Sequence, residues 1–210
     1  MHDRTLWGVG TPRTFRIHWA LIELALPYKT RPLETRTAPT VSAEYRKLNI
    51  TGKIPTLVDG DTTVSESSAI INYLATKYDS IERSLLPRDI RSIAAYHEWM
   101  SFISTELDAT SLYVLRRHEE LSHIYGHAPT ACAAARAYFT RMALAAAERI
   151  KASRTFLLGT KLTGADIMMV STLDWADHCE CEYPSVLRAY REQIVSKTSY
   201  PLAVNANKAT

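Results

Sequence analysis

The segment 52–70, GKIPTLVDGDTTVSESSAI, ends in an acidic and hydroxyl cluster where a helix is predicted to begin, near Glu66. The free N–H groups and the positive dipole end of a helix start bind carboxylates. Ser67 adds a hydroxyl at that point, and the carboxylate of Glu66 can hold an amine. Together these groups suit the two charged ends of an amino acid.

Pro55 follows Ile54 at the head of the strand-like run TLVDGDTTV. An X-Pro bond is trans in most folded proteins, and the sequence leaves both isomers open at this position. A cis bond would turn the main-chain N–H and C=O of Ile54 outward, where a peptide-like ligand could pair with them as an added strand. A short peptide is therefore the candidate ligand.

Each of these residues also has a simpler interpretation. Residues 65–68 are of types that routinely cap helices. Lys53 alone is typical of a solvated side chain, and Pro55 alone is typical of a structural proline. Capping and ligand binding can coexist, so the binding hypothesis depends on the conjunction of these residues.

The elements that must position this segment follow from hydrophobic periodicity. A short buried strand is predicted at 5–8, and helical periodicity follows in TPRTFRIHWALIELALPY. A second strand lies in YKTRPLE, a brief helix covers about 40–48, and TLVDGDTTV contains an Asp-Gly turn between two strands. With a further helix over about 66–78, the predicted order is β-α-β-α-β-β-α.

Beyond Arg88 the sequence is predicted to be entirely helical. The earlier pattern stops at DSIERSLLPRD, and the alanine-rich segment AACAAARAYFTRMALAAAERI favours a packed helix. A small α/β domain is therefore predicted at 1–79, a linker at 80–88 and an all-helical domain at 89–210. The helices are expected at about 89–122, 128–153, 163–178 and 184–195.

Composition limits the classes of partner. The chain has 210 residues, 46% of them hydrophobic, which is enough to bury a full core. Its net charge of +3 is too small and too dispersed to indicate binding of nucleic acid or of a membrane surface. No apolar run reaches the ~18 residues of a membrane-spanning helix, and MHDRTLWGVG is not a signal-peptide pattern, so we expect a cytoplasmic protein.

Cysteines and histidines give little support to disulfide or metal chemistry. Cys132, Cys179 and Cys181 are an odd number in a chain without a secretion signal, which predicts reduced thiols. His178 lies beside two of them, but no second cluster completes a tetrahedral ligand set, so no metal site is predicted. The scattered histidines, His18 included, are expected at the surface or at a boundary.

The stretch GKIPTLVDGDTTVSESSAIINYL resembles the glutathione-binding segment of the cytosolic glutathione transferases, with its loop, proline and Glu-Ser pair. The start LWGVGTPRTFRIHWALIELALPYK is similar to the first strand and helix of that family. The resemblance covers nearly the whole chain, and it implies a thioredoxin-like α/β domain joined to an all-helical domain. The class within the superfamily stays open.

By this resemblance the ligand is glutathione, which acts as a co-substrate, and no metal is needed. Ile54 would pair with its cysteinyl backbone, and Lys53 would approach its glycine carboxylate. Glu66 and Ser67 would hold its γ-glutamyl end. Pro55 would be the family's cis proline.

The resemblance also implies that the reactive sulfur belongs to glutathione, because no cysteine precedes Cys132. Aligning FRIHWAL puts Thr11 where many classes of the family carry a catalytic serine, tyrosine or cysteine; this sequence departs by using threonine. A hydrogen bond to a thiolate contributes ~1.5–3 kcal/mol and a helix start ~0.3–1 kcal/mol, against the ~2.7 kcal/mol that lowers a thiol pKa by about two units. Arg13 and Thr14 lie in the same turn as alternatives, and Thr11 can also be a plain N-cap.

The implied activity is a detoxification reaction, in which glutathione is added to a small hydrophobic electrophile. The acceptor pocket is expected between the domains, and the resemblance alone implies a homodimer. The alternative is a glutathione-binding carrier or stress-related protein with little catalytic activity. The expected walls of the acceptor pocket are the turn 11–14 and the helix through Trp99, Ser101, Phe102 and Tyr113.

One match in the helical half concerns folding. FLLGTKLTGADIMMVSTL resembles the family's capping segment, with Thr163 as N-cap and Asp166 three residues on. Leu162 would be stapled to Ile167. These residues are kept out of the predicted site.

Overall fold

A four-stranded mixed sheet is built from the amino-terminal part of the chain in the computed structural model, which describes residues 4–37, 42–150 and 155–208. Its strands are β1 (Arg4–Trp7), β2 (Lys29–Arg31), β3 (Thr56–Asp59) and β4 (Thr62–Ser65). They lie in the order β2-β1-β3-β4. β1 runs parallel to β2 and antiparallel to β3, and β3 and β4 pair antiparallel.

Three helices accompany this sheet: α1 (Pro12–Glu23), α2 (Ala43–Leu48) and α3 (Ser67–Lys77). The observed order β1-α1-β2-α2-β3-β4-α3 confirms the predicted one. Gly60, with φ +67°, lies in the turn between β3 and β4, as the Asp-Gly signal predicts. This order delivers the start of α1 and the start of α3 from the ends of β1 and β4.

The middle of helix α1 is enclosed on every side, because its residues are buried without interruption from Thr14 to Leu21. The expectation that His18 lies at the surface or at a boundary is therefore wrong, since no face of this part of α1 reaches water. His18 is fully buried and hydrogen-bonded through Nδ1 to Tyr28 Oη at 2.8 Å. Burial lowers the pKa of His18 to about 4, against a smaller opposing effect of the Gly8 backbone, so the ring is neutral near pH 7.

The rest of the described chain is helical, which confirms the predicted all-α part. The segment expected as one helix over 89–122 is instead interrupted by π-helical turns at Ile103–Leu112 and Arg116–Glu120. Among the described helices, none is long and apolar enough to span a bilayer. The helices are α4 (Ile90–Phe102), α5 (Tyr113–Leu115), α6 (Ser122–Tyr125), α7 (Pro129–Arg149), α8 (Gly164–His178), α9 (Ser185–Val195) and α10 (Ser199–Ala206).

Helix α10 was not predicted, because it is short and contains a proline. Pro201 falls in its first turn, where the missing N–H breaks no helical hydrogen bond. Tyr200 packs edge-on against the rings of Phe15 and Trp19 at 5.5 and 5.3 Å between ring centroids. Trp19 Nε1 also donates to Ser199 Oγ at 3.2 Å. The last helix of the chain therefore covers the first.

Two units emerge from the contacts within the chain. The first contains Met1–Pro87 together with Val195–Thr210, and the second contains Arg88–Ile194. The sequence places the last residues in the helical domain, whereas in the structure they join the first unit through α10 and α1. The predicted linker at 80–88 lies in a stretch, 79–89, that forms neither helix nor strand.

The predicted capping box of α8 is confirmed, whereas the contact between Leu162 and Ile167 stays a prediction. Thr163 N donates to Asp166 Oδ2 at 2.7 Å, which is the reciprocal half of a capping box. Asp166 is fully buried and also accepts from Leu157 N at 2.8 Å and from Tyr190 Oη at 2.7 Å. This carboxylate therefore ties three segments of the second unit together and serves folding.

Candidate functional site

Most of the predicted site residues line one pocket of the first unit. This pocket lies where the loop before β3 meets the starts of α1 and α3. Thr11 and Thr14, which were predicted for the same site, are outside its lining. The residues of the lining are Arg13, Asn49, Lys53, Ile54, Pro55, Glu66 and Ser67.

The loop that carries Lys53 is held by hydrogen bonds from side chains of α2 and of the residue that follows α2. The main-chain oxygen of Lys53 accepts from Tyr45 Oη at 2.7 Å and from Asn49 Nδ2 at 2.8 Å. Asn49 Oδ1 in turn accepts from Thr51 N at 3.1 Å and from Thr51 Oγ1 at 2.8 Å. Both Tyr45 Oη and Asn49 Nδ2 also bond to Thr56 Oγ1. The loop is thus held to both α2 and β3.

Sequence reasoning missed Tyr45 and Asn49. A signal for Asn49 was present, because an asparagine followed by Thr51 and Gly52 is typical of a turn that its own side chain closes. The contribution of Tyr45 had no such local signal.

Ile54 and Pro55 line the pocket and are joined by a cis peptide bond. Ile54 is two residues ahead of Thr56, the first residue of β3 that pairs with β1 and β4, so its backbone lies just outside the ladder. The side chain of Ile54 packs against Gly8, at the end of β1. A Cβ on Gly8 would be only 2.7 Å from Ile54 Cβ and 2.9 Å from Thr14 Cγ2.

Glu66 has a strained backbone, with φ 69° and ψ 122°, at the residue before α3. A non-glycine residue in such a region costs on the order of 1–3 kcal/mol, and residues of this kind cluster at functional sites. Its side chain makes no capping hydrogen bond to α3 and is exposed. The capping interpretation therefore does not account for the Glu66 carboxylate.

Ser67 is held by a buried cation that sequence reasoning missed. Arg16 Nη1 donates to Ser67 Oγ at 3.2 Å, and the exposed fraction of Arg16 is only 1%. Its position inside the apolar periodicity of α1 was the signal that could have found it, because a buried arginine needs a defined partner. The guanidinium adds positive potential to the helix start of α3, which favours a carboxylate there.

The turn before α1 contains the predicted thiol-activating hydroxyls. Thr11 is the N-cap of α1: its Oγ1 accepts from Thr14 N at 3.0 Å, and Thr11 N donates to Thr14 Oγ1 at 3.0 Å. Thr11 is 6% exposed and Thr14 is fully buried. Arg13, which lies between them in the sequence, lines the pocket. The turn thus contributes one cation to the lining of the pocket, and its two threonine hydroxyls are buried outside that lining.

The described residues contain no group of three or more His, Cys, Asp or Glu side chains suited to a metal ion. Cys132, Cys179 and Cys181 are free and buried, all in the second unit. Burial raises the pKa of Cys179 to about 12, so that thiol stays protonated near pH 7.

Two family models match the chain in sequence. The N-terminal domain of glutathione S-transferase matches residues 3–76, and its C-terminal domain matches residues 103–196. The chain belongs to the glutathione S-transferase family. The family and fold that the sequence resemblance implied are thereby confirmed.

Curated glutathione S-transferases match mainly part of the chain. Glutathione S-transferase 1 of Schizosaccharomyces pombe is 41% identical over 93 residues, 42% of this chain and 41% of its own. Glutathione S-transferase Z1 of Arabidopsis thaliana is 35% identical over 106 residues, 50% of this chain and 47% of its own. The chain thus spans less than half the length of the curated relatives it matches.

Two solved structures share the fold over nearly the full length of the chain. Glutathione transferase URE2P6 from Phanerochaete chrysosporium, in complex with oxidized glutathione, has a TM-score of 0.84 at 22% identity, covering 98% of this chain and 96% of its own. Ure2p in complex with glutathione has a TM-score of 0.86 at 18% identity, covering 96% and 98%.

Proposed function

We propose that this protein is a glutathione transferase that binds glutathione in the pocket of the first unit and adds its sulfur to a small hydrophobic electrophile. The observation that carries the proposal is the convergence in one pocket of Arg13, from the start of α1, with the predicted glutathione-binding residues of the stretch 52–70. Glutathione has two carboxylates and one ammonium group. The pocket offers the cations Arg13 and Lys53 and the carboxylate Glu66, which complement those charges.

Each part of the ligand has a proposed partner. Ile54, just outside the β-ladder, pairs with the cysteinyl backbone as an added strand. Glu66 and Ser67 hold the γ-glutamyl end, where the ammonium meets the Glu66 carboxylate and the carboxylate meets the start of α3. Lys53, which is exposed, approaches the glycine carboxylate.

The chemistry needs a thiolate. In the proposed reaction with an aryl halide, the thiol proton of glutathione passes to water, and the sulfur forms a bond to the electrophilic carbon. The bond from that carbon to the halogen then breaks, and the halide leaves with the electron pair. Thr11 donates a hydrogen bond to the thiolate, and Arg13 contributes positive potential.

One observation favours a second function, a glutathione-binding carrier with little catalytic power. The Thr11 hydroxyl is nearly buried and already engaged with Thr14, so its proton must turn outward to reach a sulfur. Such a site would bind glutathione and ionise it poorly.

Two measurements separate these functions. Calorimetry with reduced glutathione tests binding, and a steady-state assay with an activated aryl halide and a panel of other electrophiles tests transfer. Binding with turnover supports the transferase, whereas binding without turnover on any electrophile supports the carrier. If the folded protein does not bind glutathione, both are wrong.

We further propose a homodimer and a cytoplasmic location, on the ground of family membership. Sedimentation velocity at micromolar concentration measures the first, with a species of twice the 23.6 kDa chain mass expected. Immunoblots of cytoplasmic and membrane fractions from the source cells test the second. The contribution of the helical unit to the electrophile pocket likewise stays a prediction.

A further inference from the structure

The residue that follows α10, Asn207, contacts the turn before α1 through three of its atoms. Its main-chain oxygen accepts from Gly10 N at 2.8 Å. Its side-chain Oδ1 accepts from Thr14 Oγ1 at 2.6 Å and lies 3.2 Å from Gly10 N. Its Nδ2 donates to the main-chain oxygen of Thr11 at 3.2 Å. All of these residues belong to the first unit.

The orientation of this amide follows from its partners. Gly10 N–H is a donor and the Thr11 carbonyl is an acceptor. Rotating the Asn207 amide by half a turn would place its NH₂ group against the Gly10 N–H and its oxygen against the Thr11 carbonyl, and neither pair can form a hydrogen bond. Oδ1 therefore faces Thr14. Since Oδ1 has no proton, the Thr14 hydroxyl is the donor in the 2.6 Å contact.

The single proton of Thr14 has two protein acceptors, Asn207 Oδ1 at 2.6 Å and the main-chain oxygen of Thr11 at 2.9 Å, and Asn207 is the nearer one. Thr14 Oγ1 still accepts from Thr11 N, and Thr11 Oγ1 accepts from Thr14 N. The Thr11 hydroxyl keeps its proton, with Thr14 Oγ1 as its only acceptor among the described residues. Of the two hydroxyls, Thr11 is the one with a proton to give to a ligand.

We infer that Asn207 is a positioning residue of the thiol-activating turn: its Oδ1 is the nearer acceptor for the Thr14 proton and its Nδ2 holds the Thr11 carbonyl, so that Thr11 donates to the sulfur of bound glutathione. The inference rests on the proposed function. It selects Thr11 over Thr14, which the sequence left open as an alternative together with Arg13.

The docking of α10 does not depend on the Asn207 side chain. Tyr200 packs against Phe15 and Trp19, and Ala203 is fully buried. The main-chain bond from Gly10 N to the Asn207 oxygen survives any substitution of the side chain. Asn207→Ala therefore removes the positioning contacts and leaves the helix in place.

The test is an ultraviolet titration of the thiolate of bound glutathione, with turnover of an aryl halide against pH. We expect Asn207→Ala to raise the thiol pKa by about half a unit to one unit, and turnover at pH 6.5 to fall about three- to tenfold. Asn207→Asp should raise it further, because a carboxylate beside the turn disfavours the thiolate. Asn205→Ala, an exposed neighbour on the same helix, is the matched control and should titrate as wild type does.

The outcomes separate this inference from the proposed function. If wild type does not bind glutathione, the proposed function fails and the inference with it. If wild type binds and ionises glutathione but Asn207→Ala leaves the titration unmoved, only the inference is overturned, even when Asn207→Asp shifts it. Should Asn207→Ala fail to fold by circular dichroism, Asn207→Ser replaces it with the same expected rise, and an unmoved titration of that variant overturns the inference.

Discussion

Glu66 combines a strained backbone with an exposed carboxylate that makes no capping hydrogen bond to α3. Its neighbour Ser67 is buried and oriented by Arg16. At the scale of single residues, these are the marks of a site whose geometry is set before a ligand arrives. Packing elsewhere in the fold offsets the strain, and the residue at the strained position, Glu66, has a charge that matches an ammonium group.

The Glu66 and Ser67 contacts should dominate glutathione affinity. Changing both to alanine removes two charge-assisted contacts of ~1.5–3 kcal/mol each, so affinity should fall at least tenfold by calorimetry. Ser68→Ala, one residue further into α3 and outside the pocket lining, is the matched control. An unchanged dissociation constant in a folded double mutant would refute the assignment of the γ-glutamyl end.

Thr11→Val keeps the shape of the side chain and removes the proposed donor. The pKa of the bound thiol should rise by about one to two units, because a hydrogen bond to a thiolate is worth ~1.5–3 kcal/mol. Turnover at neutral pH should then drop roughly ten- to a hundredfold and partly recover at higher pH. Affinity should change little.

Arg13, the alternative partner of the thiolate, is tested beside Thr11. Arg13 lines the pocket, whereas Thr11 lies outside its lining. If Arg13→Ala raises the thiol pKa while Thr11→Val does not, the cation is the thiolate's partner and Thr11 is only a cap.

At the scale of elements, Gly8 follows β1 and lies in close approach to both α1 and the loop before β3. Gly8→Ala should displace Ile54 and the start of α1 together, because the new Cβ would lie 2.7 Å from Ile54 Cβ and 2.9 Å from Thr14 Cγ2. We expect a loss of ~1–3 kcal/mol in stability and weaker glutathione binding.

Gly10→Ala is the control for Gly8→Ala. Gly10 also has a positive φ, +75°, but no heavy atom lies within 4 Å of a Cβ placed there. Both variants place an alanine at a positive φ, +119° at Gly8 and +75° at Gly10, but only Gly8→Ala has the collision. Equal effects in denaturation and calorimetry would mean that the close approach at Gly8 does not position the site.

Asp59 joins β1, β3 and α3 through one carboxylate. It pairs with Arg4 at 3.3 Å and accepts from Tyr73, Lys77 and Tyr78. Burial alone would raise the pKa of Asp59, but the hydrogen bonds from Tyr78, Lys77 and Tyr73 and the charge of Arg4 together lower it below its ordinary 3.8.

A lowered pKa in the folded state means that this carboxylate stabilises the fold above about pH 4 and loses that effect as pH falls through the folded value. Asp59→Asn leaves the Arg4 charge buried without its partner, so it should cost ~3 kcal/mol at pH 7. The difference between variant and wild type in urea denaturation should shrink steadily below pH 4. If the difference in stability between Asp59→Asn and wild type did not depend on pH, the loss would come from packing and not from the charge of Asp59.

The sequence predicted those elements and residues whose signals are local. The order of the strands and helices around the sheet followed from periodicity, and Lys53, Ile54, Pro55, Glu66 and Ser67 came from one contiguous motif. Their convergence in a pocket agrees with that prediction, although their roles stay proposals.

What the sequence did not predict depends on contacts between distant segments. Arg16 meets Ser67 across 51 positions, and Asn207 meets Thr14 across 193. Helix α10 has too few residues, and too polar a carboxyl-terminal end, to be predicted as a helix from the sequence pattern alone; its packing partner α1 must be known first. His18 was misplaced for the same reason, since only the covering of α1 decides its burial.

At the scale of the whole molecule, the two ends of the chain belong to the same unit, and that unit contains the pocket. Ligand binding to it is therefore linked to the ordering of the carboxyl terminus. A ligand that binds only the folded state adds ~2.7 kcal/mol at a concentration of 100 times its dissociation constant. Amides that exchange by unfolding of this unit should then exchange about a hundredfold more slowly.

Hydrogen–deuterium exchange with and without glutathione measures this slowing peptide by peptide. Peptides covering 12–23 and 196–208 should slow together, because Tyr200 packs on Phe15 and Trp19 and Asn207 bonds to the turn before α1. Peptides from α8, in the second unit, are the internal reference: they slow equally if both units unfold in one step and remain unchanged if they unfold separately. Protection of 12–23 without protection of 196–208 would show that α10 detaches before the glutathione-binding unit unfolds, and would contradict the grouping of the two chain ends.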